Sequence, residues 1–305
     1  MSVSPDAVGR WPVDGPLDLG RTVRGVTFWG FATWLRVDRS GAWISRRTPE
    51  GPGTLRLTTG HGEVIGEAWG PGAHTVLEDV PGLAGLDDPG TAAIPVHSPL
   101  VKRLAHRDRG WRLARWPGVV ETLMAISLGQ KVTGINAQRG LFALVRRYGE
   151  PAPGPRQDLA LLPDVDDILR LPAFAFHPLG IEGQRASLLR RIASRADALQ
   201  RAFDLPPAEG RAALQKLRGI GPWTAGVVAG GILGDADAVP VGDYHLPNTV
   251  AWNLAGEPRA DDARMLQLLE PYAGQRNRVV RLLMSRGRKP PKYGPHSDVR
   301  DIRGQ

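Results

Sequence analysis

The 305-residue chain contains no cysteine. That absence excludes disulfides, a thiolate nucleophile, thiolate-ligated zinc and cysteine-held iron–sulfur clusters. Long apolar runs are also missing. None is long enough to cross a bilayer, and the N-terminus lacks a basic-then-apolar leader. The expected location is cytoplasmic, with no membrane partner. Histidine is sparse at 7 residues, and His177, His245 and His296 lie far apart along the chain. No side-chain metal cluster is expected from them, and His245 reads as a structural residue.

What is present is basic, and unevenly so. The net charge of +8 does not spread along the chain. Residues 1–100 carry 8 basic against 11 acidic side chains, and residues 101–147 carry 10 against 2. The balance reverses to 12 against 16 over 148–275, then returns to 9 against 2 over 276–305. Two positive segments in an otherwise acidic chain suit a polyanionic partner, although arginines scattered over solvated faces would give a similar total.

The texture of the chain changes near residue 90. Before it lie β-favouring runs broken by glycine: "RTVRGVTFWG", "TWLRVDRSGAWISRRT", "TLRLTTG" and "EVIGEAWG". Leu55 and Leu57 alternate with Thr54, Arg56 and Thr58 as in a half-buried strand. "TTGHGEV" reads as a hairpin turn. The turn-rich "PGLAGLDDPG" (81–90) marks a boundary. From 118 onward the spacing becomes helical, with helices expected at 164–171, 183–202, 207–218, 223–233, 246–254, 260–271 and 276–286. The expected organisation is α+β: an antiparallel β domain over 1–90, a helical region over 91–290, and a basic flexible tail over 291–305.

One stretch stands out, "LRGIGPWTAGVVAGGILGDADAVPVGDYHLPN" at 217–248. Leu214 and Leu217 share one helix face. Gly219 follows where a left-handed residue closes a helix. Ile220 is an apolar plug between Gly219 and Gly221, and Pro222 suits the first turn of a new helix. The product is a helix, a tight hairpin and a helix over 212–233, with amides near Gly219, Gly221 and Trp223 facing outward. Such amides, aided by the helix dipole, bind phosphate without reading sequence.

This stretch resembles the helix–hairpin–helix motif. With "GPWTA" and an Asp 22 residues after Gly221, in "VPVGDYHL", the chain is similar to the helix–hairpin–helix/Gly-Pro-Asp superfamily of DNA glycosylases. Within it the nearest resemblance is to the bacterial 3-methyladenine DNA glycosylase II branch, in which a sheet domain like the TATA-binding protein fold precedes the helices. "AISLGQKV" and "LGIEGQRASLLRRIA" add family-like helices. The resemblance implies a DNA-repair hydrolase, acting as a monomer at the nucleoid on double-stranded DNA with damaged bases. It flips an alkylated base out of the duplex and hydrolyses its N-glycosidic bond in base excision repair. Asp243 takes the place of the carboxylate that stabilises the cationic sugar, while Asp235 and Asp237 do not match. Trp223 and Tyr244 match aromatics of the base pocket, where a cationic base gains cation–π attraction. Gly219, Ile220, Gly221 and Thr224 match the DNA-binding hairpin, and Gln130 and Lys131 the loop that fills the gap left by the flipped base. Position 223 is also where bifunctional relatives carry a Schiff-base lysine, so no lyase activity is expected. No cofactor is implied beyond a monovalent Na or K ion on the backbone carbonyls of Gln215, Leu217 and Ile220.

Two departures bear on substrate preference. Lys131 stands where relatives have an apolar wedge, and Gln275 where they have a pocket Trp. Bland roles stay open as well: Asp243 as a helix N-cap, Trp223 as core, Lys131 as a solvated charge. A noncatalytic DNA-binding protein and a glycosylase for oxidised purines are the alternatives.

Overall fold

In a computed structural model, residues 3–27, 30 and 32–291 are described. The basic tail expected over 291–305 lies outside them from residue 292 onward. Among the described residues, five strands form one antiparallel sheet: β1 (Ala7–Pro12), β2 (Leu35–Asp38), β3 (Gly41–Thr48), β4 (Gly51–Gly60) and β5 (Glu63–Trp69). Their order is β1-β5-β4-β3-β2. The β4–β5 hairpin turns where the sequence indicates. His61 and Gly62 both have positive φ, at 52° and 79°, as a two-residue turn matched to strand twist demands.

The described residues of the "RTVRGVTFWG" run form no strand. Residues Leu19–Arg24 form helix α1 instead, and residues 28, 29 and 31 lie outside the described set. The β-branched Thr22 and Val23 are overruled by a cap, in which Asp18 Oδ1 accepts from Arg21 N–H at 3.0 Å, and by burial of Leu19, Thr22 and Val23 on one face. Helices α2 (Ala73–Glu78) and α3 (Val80–Ala84) follow the sheet. The turn-rich 81–90 segment thus begins inside a helix, which ends at Gly85 in the left-handed region.

Next come α4 (Pro99–Arg107), α5 (Val119–Leu128), α6 (Gly134–Tyr148), α7 (Val165–Arg170), α8 (Gly183–Ala193) and α9 (Ala196–Gln200). The helix expected over 183–202 breaks at Ser194, whose hydroxyl donates to the Arg191 carbonyl and competes with the helical ladder. The remaining helices are α10 (Pro207–Leu214), α11 (Pro222–Ile232), α12 (Leu246–Ala255), α13 (Asp262–Leu269) and α14 (Arg276–Arg286). No described helix is long and apolar enough to cross a membrane.

Packing does not follow a boundary at residue 90. One core cluster joins Leu55 and Leu57 of the sheet to Leu123 of α5, Ile192 of α8 and Ile232 of α11. A second cluster joins Val101 and Leu104 of α4 to Val250 of α12, Met265 of α13 and Val279 of α14. Chain order hides this second grouping, because α4 and α12 are separated by more than a hundred residues.

Glu121, in the first turn of α5, is half-buried among the elements of the first cluster. Burial pushes its carboxyl above the ordinary range, against the opposing pull of Arg46 and Arg47. The folded protein therefore holds this proton more tightly than the unfolded chain does. The stability it confers is complete below the unfolded pKa and is lost as pH rises through the folded pKa. Glu121→Gln removes that loss. Melting curves from pH 5 to 8 should show the variant gaining on wild type as pH rises; a variant that falls behind at pH 8 would contradict the burial argument.

Candidate DNA-binding cleft and carboxylate

The hairpin between α10 and α11 has the expected geometry. Gly219 has φ +103°, and an ideal Cβ there would lie 2.8 Å from Leu188 Cδ1. A side chain at this position is both strained and crowded. Gly221 differs: its φ is −89° and a Cβ would meet nothing within 4 Å. The fold itself does not require glycine there. Ile220 is 4% exposed, the plug that anchors the turn, and its N–H donates to the Leu217 carbonyl at 2.9 Å. The N–H groups of Gly219 and Gly221 have no acceptor among the described residues, and both residues are exposed. Pro222 opens α11, so the hairpin leads straight into a helix N-terminus with its positive dipole end.

Gln130 fastens the α5–α6 loop to this hairpin. Its Nε2 donates to the Gly219 carbonyl at 3.0 Å and to Thr224 Oγ1 at 2.9 Å. Thr224 is 2% exposed, so its hydroxyl serves this joint. Lys131, next along, is exposed with φ +57°.

Asp243 is held from two sides. Its Oδ2 accepts Trp223 Nε1–H at 2.8 Å. Its Oδ1 accepts the N–H groups of His245 at 2.8 Å and Leu246 at 2.9 Å, at the start of α12. The bend that presents it depends on Gly242, whose φ is +91° and whose N–H donates to Asp262 Oδ2 at 3.0 Å. Capping is therefore a real role of this carboxylate. It leaves a fixed negative charge, oriented by three donors, beside an indole edge.

The neighbouring acids are occupied elsewhere. Asp235 pairs with Arg211 at 3.1 Å, and Asp237 pairs with Arg276 while accepting the Gly274 and Arg276 N–H groups. Trp223 is half-buried, packs partly on the main core and also lines the cleft. Tyr244 is 86% exposed and meets His245 edge-on, with ring centroids 4.9 Å apart. It stands on the surface of the bend.

A cleft of about 1680 Å³ gathers these groups. Its lining includes Trp223, Asp243, Tyr244, Gly219, Gly221, Thr224, Gln130 and Lys131. Ile220, buried beneath the hairpin, does not line it, and neither does Gln275, whose Oε1 instead accepts Arg278 Nε–H at 2.7 Å. The cleft is electropositive. Asp243 and Glu182 are outnumbered by Lys131, Arg139, Arg146, Arg185 and Arg281.

Several of these residues escaped the reading of the sequence. Arg281 of α14 donates to the Gly230 carbonyl at 2.8 Å and the Gly25 carbonyl at 2.5 Å. Burial, then the charges of Arg21 and Arg278, pull its guanidinium down to about 10, so it stays charged at neutral pH. Only the 3.6-residue stripe of α14 could have hinted at it. Among the described residues no group of three His, Asp or Glu is placed to hold a metal.

No protein-family model matches the chain. Its backbone superposes on a 3-methyladenine DNA glycosylase from Archaeoglobus fulgidus with a TM-score of 0.73 at 16% identity, covering 90% of this chain and 97% of that one. An 8-oxoguanine glycosylase/lyase from Clostridium acetobutylicum gives 0.65 at 15% identity, covering 92% and 99%. The chain thus has the fold of the helix–hairpin–helix DNA glycosylases, an N-terminal antiparallel sheet followed by helices. In sequence it is similar to the probable bifunctional transcriptional activator/DNA repair enzyme AlkA of Mycobacterium tuberculosis, at 28% identity over 150 residues. That match takes in 48% of this chain and 30% of the relative's length.

Proposed function

We propose that this protein is a monofunctional DNA glycosylase that removes alkylated, 3-methyladenine-type bases in base excision repair, working as a monomer on double-stranded DNA. The observation that carries this reading is the carboxylate of Asp243, fixed by the Trp223 indole on the wall of a positive cleft beside two exposed hairpin amides.

In this reading the hairpin N–H groups and the α11 N-terminus grip a phosphate, and the damaged nucleotide swings into the cleft. An alkylated base that already carries positive charge is a good leaving group. As its glycosidic bond breaks, the base leaves with the bonding electrons, positive charge develops on the sugar and Asp243 stabilises it without having to reorient. Water then adds to C1′ and loses a proton, leaving an abasic sugar. Trp223 offers a face for stacking the base. Gln215, Leu217 and Ile220 supply neutral carbonyl oxygens of the kind a monovalent cation takes, and such an ion would brace the hairpin against phosphate.

The capping bonds of Asp243 favour one rival. A noncatalytic DNA-binding protein could keep this Asp for α12 alone. Against a lyase, Trp223 offers no amine, and among the described residues Lys131 is the one lysine lining the cleft. Borohydride reduction during turnover is expected to trap no covalent protein–DNA adduct. An adduct that disappears in Lys131→Ala would overturn the monofunctional assignment.

A further inference from the structure

Ile135 is the second residue of α6, lines the cleft and is 51% exposed. A single exposed isoleucine needs no special explanation. This one, however, is carried on a braced loop. Thr133 caps α6, its Oγ1 accepting Asn136 N–H at 3.4 Å. Gln130 binds the same loop to Gly219 and Thr224 of the hairpin. Between these anchors Lys131 has φ +57°, a left-handed conformation uncommon for residues with side chains. The first turn of α6 is thereby fixed relative to the amides that would hold phosphate. Exposed Lys131, Arg139 and Arg146 line the same cleft and complement a nucleic-acid backbone in charge.

Given the glycosylase reading, we infer that Ile135 is the side chain that enters the base stack where the flipped nucleotide has left, and that Lys131 contacts phosphate instead. The gap in a stack is apolar above and below. An ammonium pushed into it loses water without regaining a full set of acceptors, whereas aliphatic wedges are the common solution in proteins that unstack DNA. Among the described residues two other large apolar side chains, Tyr244 and Met284, are exposed on the cleft. They belong to the bend before α12 and to α14, and neither rides on the loop joined to the hairpin.

The test compares binding of a duplex carrying one tetrahydrofuran abasic analogue with binding of the same duplex intact, by fluorescence anisotropy. Wild type should prefer the abasic duplex. Ile135→Ala should lose about tenfold of that preference, as expected for one aliphatic side chain, while its affinity for intact duplex stays unchanged. Ile135→Leu should restore the preference. Lys131→Ala should weaken binding to both duplexes alike. If Ile135→Ala keeps the preference, or Lys131→Ala abolishes it, the assignment is wrong. A wild type with no abasic preference would remove the glycosylase reading and this inference together.

Discussion

Asp243→Asn is expected to lower the rate of base release at least ~100-fold while the protein stays folded and bound to DNA. The substitution is informative because asparagine caps helices as well as aspartate does. Its Oδ1 can still accept the His245 and Leu246 N–H groups that Asp243 holds at 2.8 and 2.9 Å. What disappears is the charge, together with the acceptor facing Trp223 Nε1–H, now replaced by a donor. The melting temperature should fall by no more than the loss of one charge-assisted hydrogen bond implies, ~1.5–3 kcal/mol. Affinity for duplex DNA should hold or rise slightly, because a negative charge near phosphates is gone. If capping were the only role of Asp243, release would scarcely change. Retention of more than about a tenth of wild-type kcat, a loss under ~1.4 kcal/mol, would remove Asp243 from the chemistry.

The two hairpin glycines should separate folding from phosphate contact. From sequence alone both are expected to weaken binding when changed to Ala. In the structure they differ. Gly219→Ala forces a Cβ onto a residue at φ +103° and to within 2.8 Å of Leu188 Cδ1. The turn must shift, so stability should drop and affinity for every duplex should fall by roughly tenfold or more. At Gly221 the backbone is ordinary and a Cβ meets open space. Gly221→Ala should leave stability within about 0.5 kcal/mol of wild type and should weaken binding only by standing between the amide and a phosphate. Losses in either variant that depend on the lesion or on sequence would show that the hairpin reads bases.

The hairpin was legible because its constraints are local. A left-handed glycine, an apolar plug and a proline in a first helical turn can all be recognised within eight residues. Asp243 was legible for the same reason: the structure shows its cap on α12 and its second oxygen facing Trp223, while its part in the chemistry is the proposal. Most helix positions followed from apolar spacing.

What remained hidden depends on tertiary placement. The Asp18 cap and one buried face turned the start of "RTVRGVTFWG", residues 21–24, into the end of α1 against its β propensity. The pairing of α4 with α12 and α14 joins segments too distant for any periodicity to connect. Gln130 matches the gap-filling loop in sequence, and only the tertiary structure reveals that its amide is committed to Gly219 and Thr224. Gln275 aligned with a pocket position yet pairs with Arg278 outside the cleft. Arg281 enters the cleft because α14 packs against Gly25 and Gly230, a contact that no local pattern encodes.

The most direct measurement is release of free base from methylated duplex DNA by the wild-type protein, with the strand examined before and after hot alkali. Free methylated base should accumulate while the strand stays intact, breaking only on alkaline treatment at the abasic sites left behind. A protein that binds this duplex tightly but frees no base at any concentration would be a DNA-binding module, with Asp243 serving only as the cap of α12.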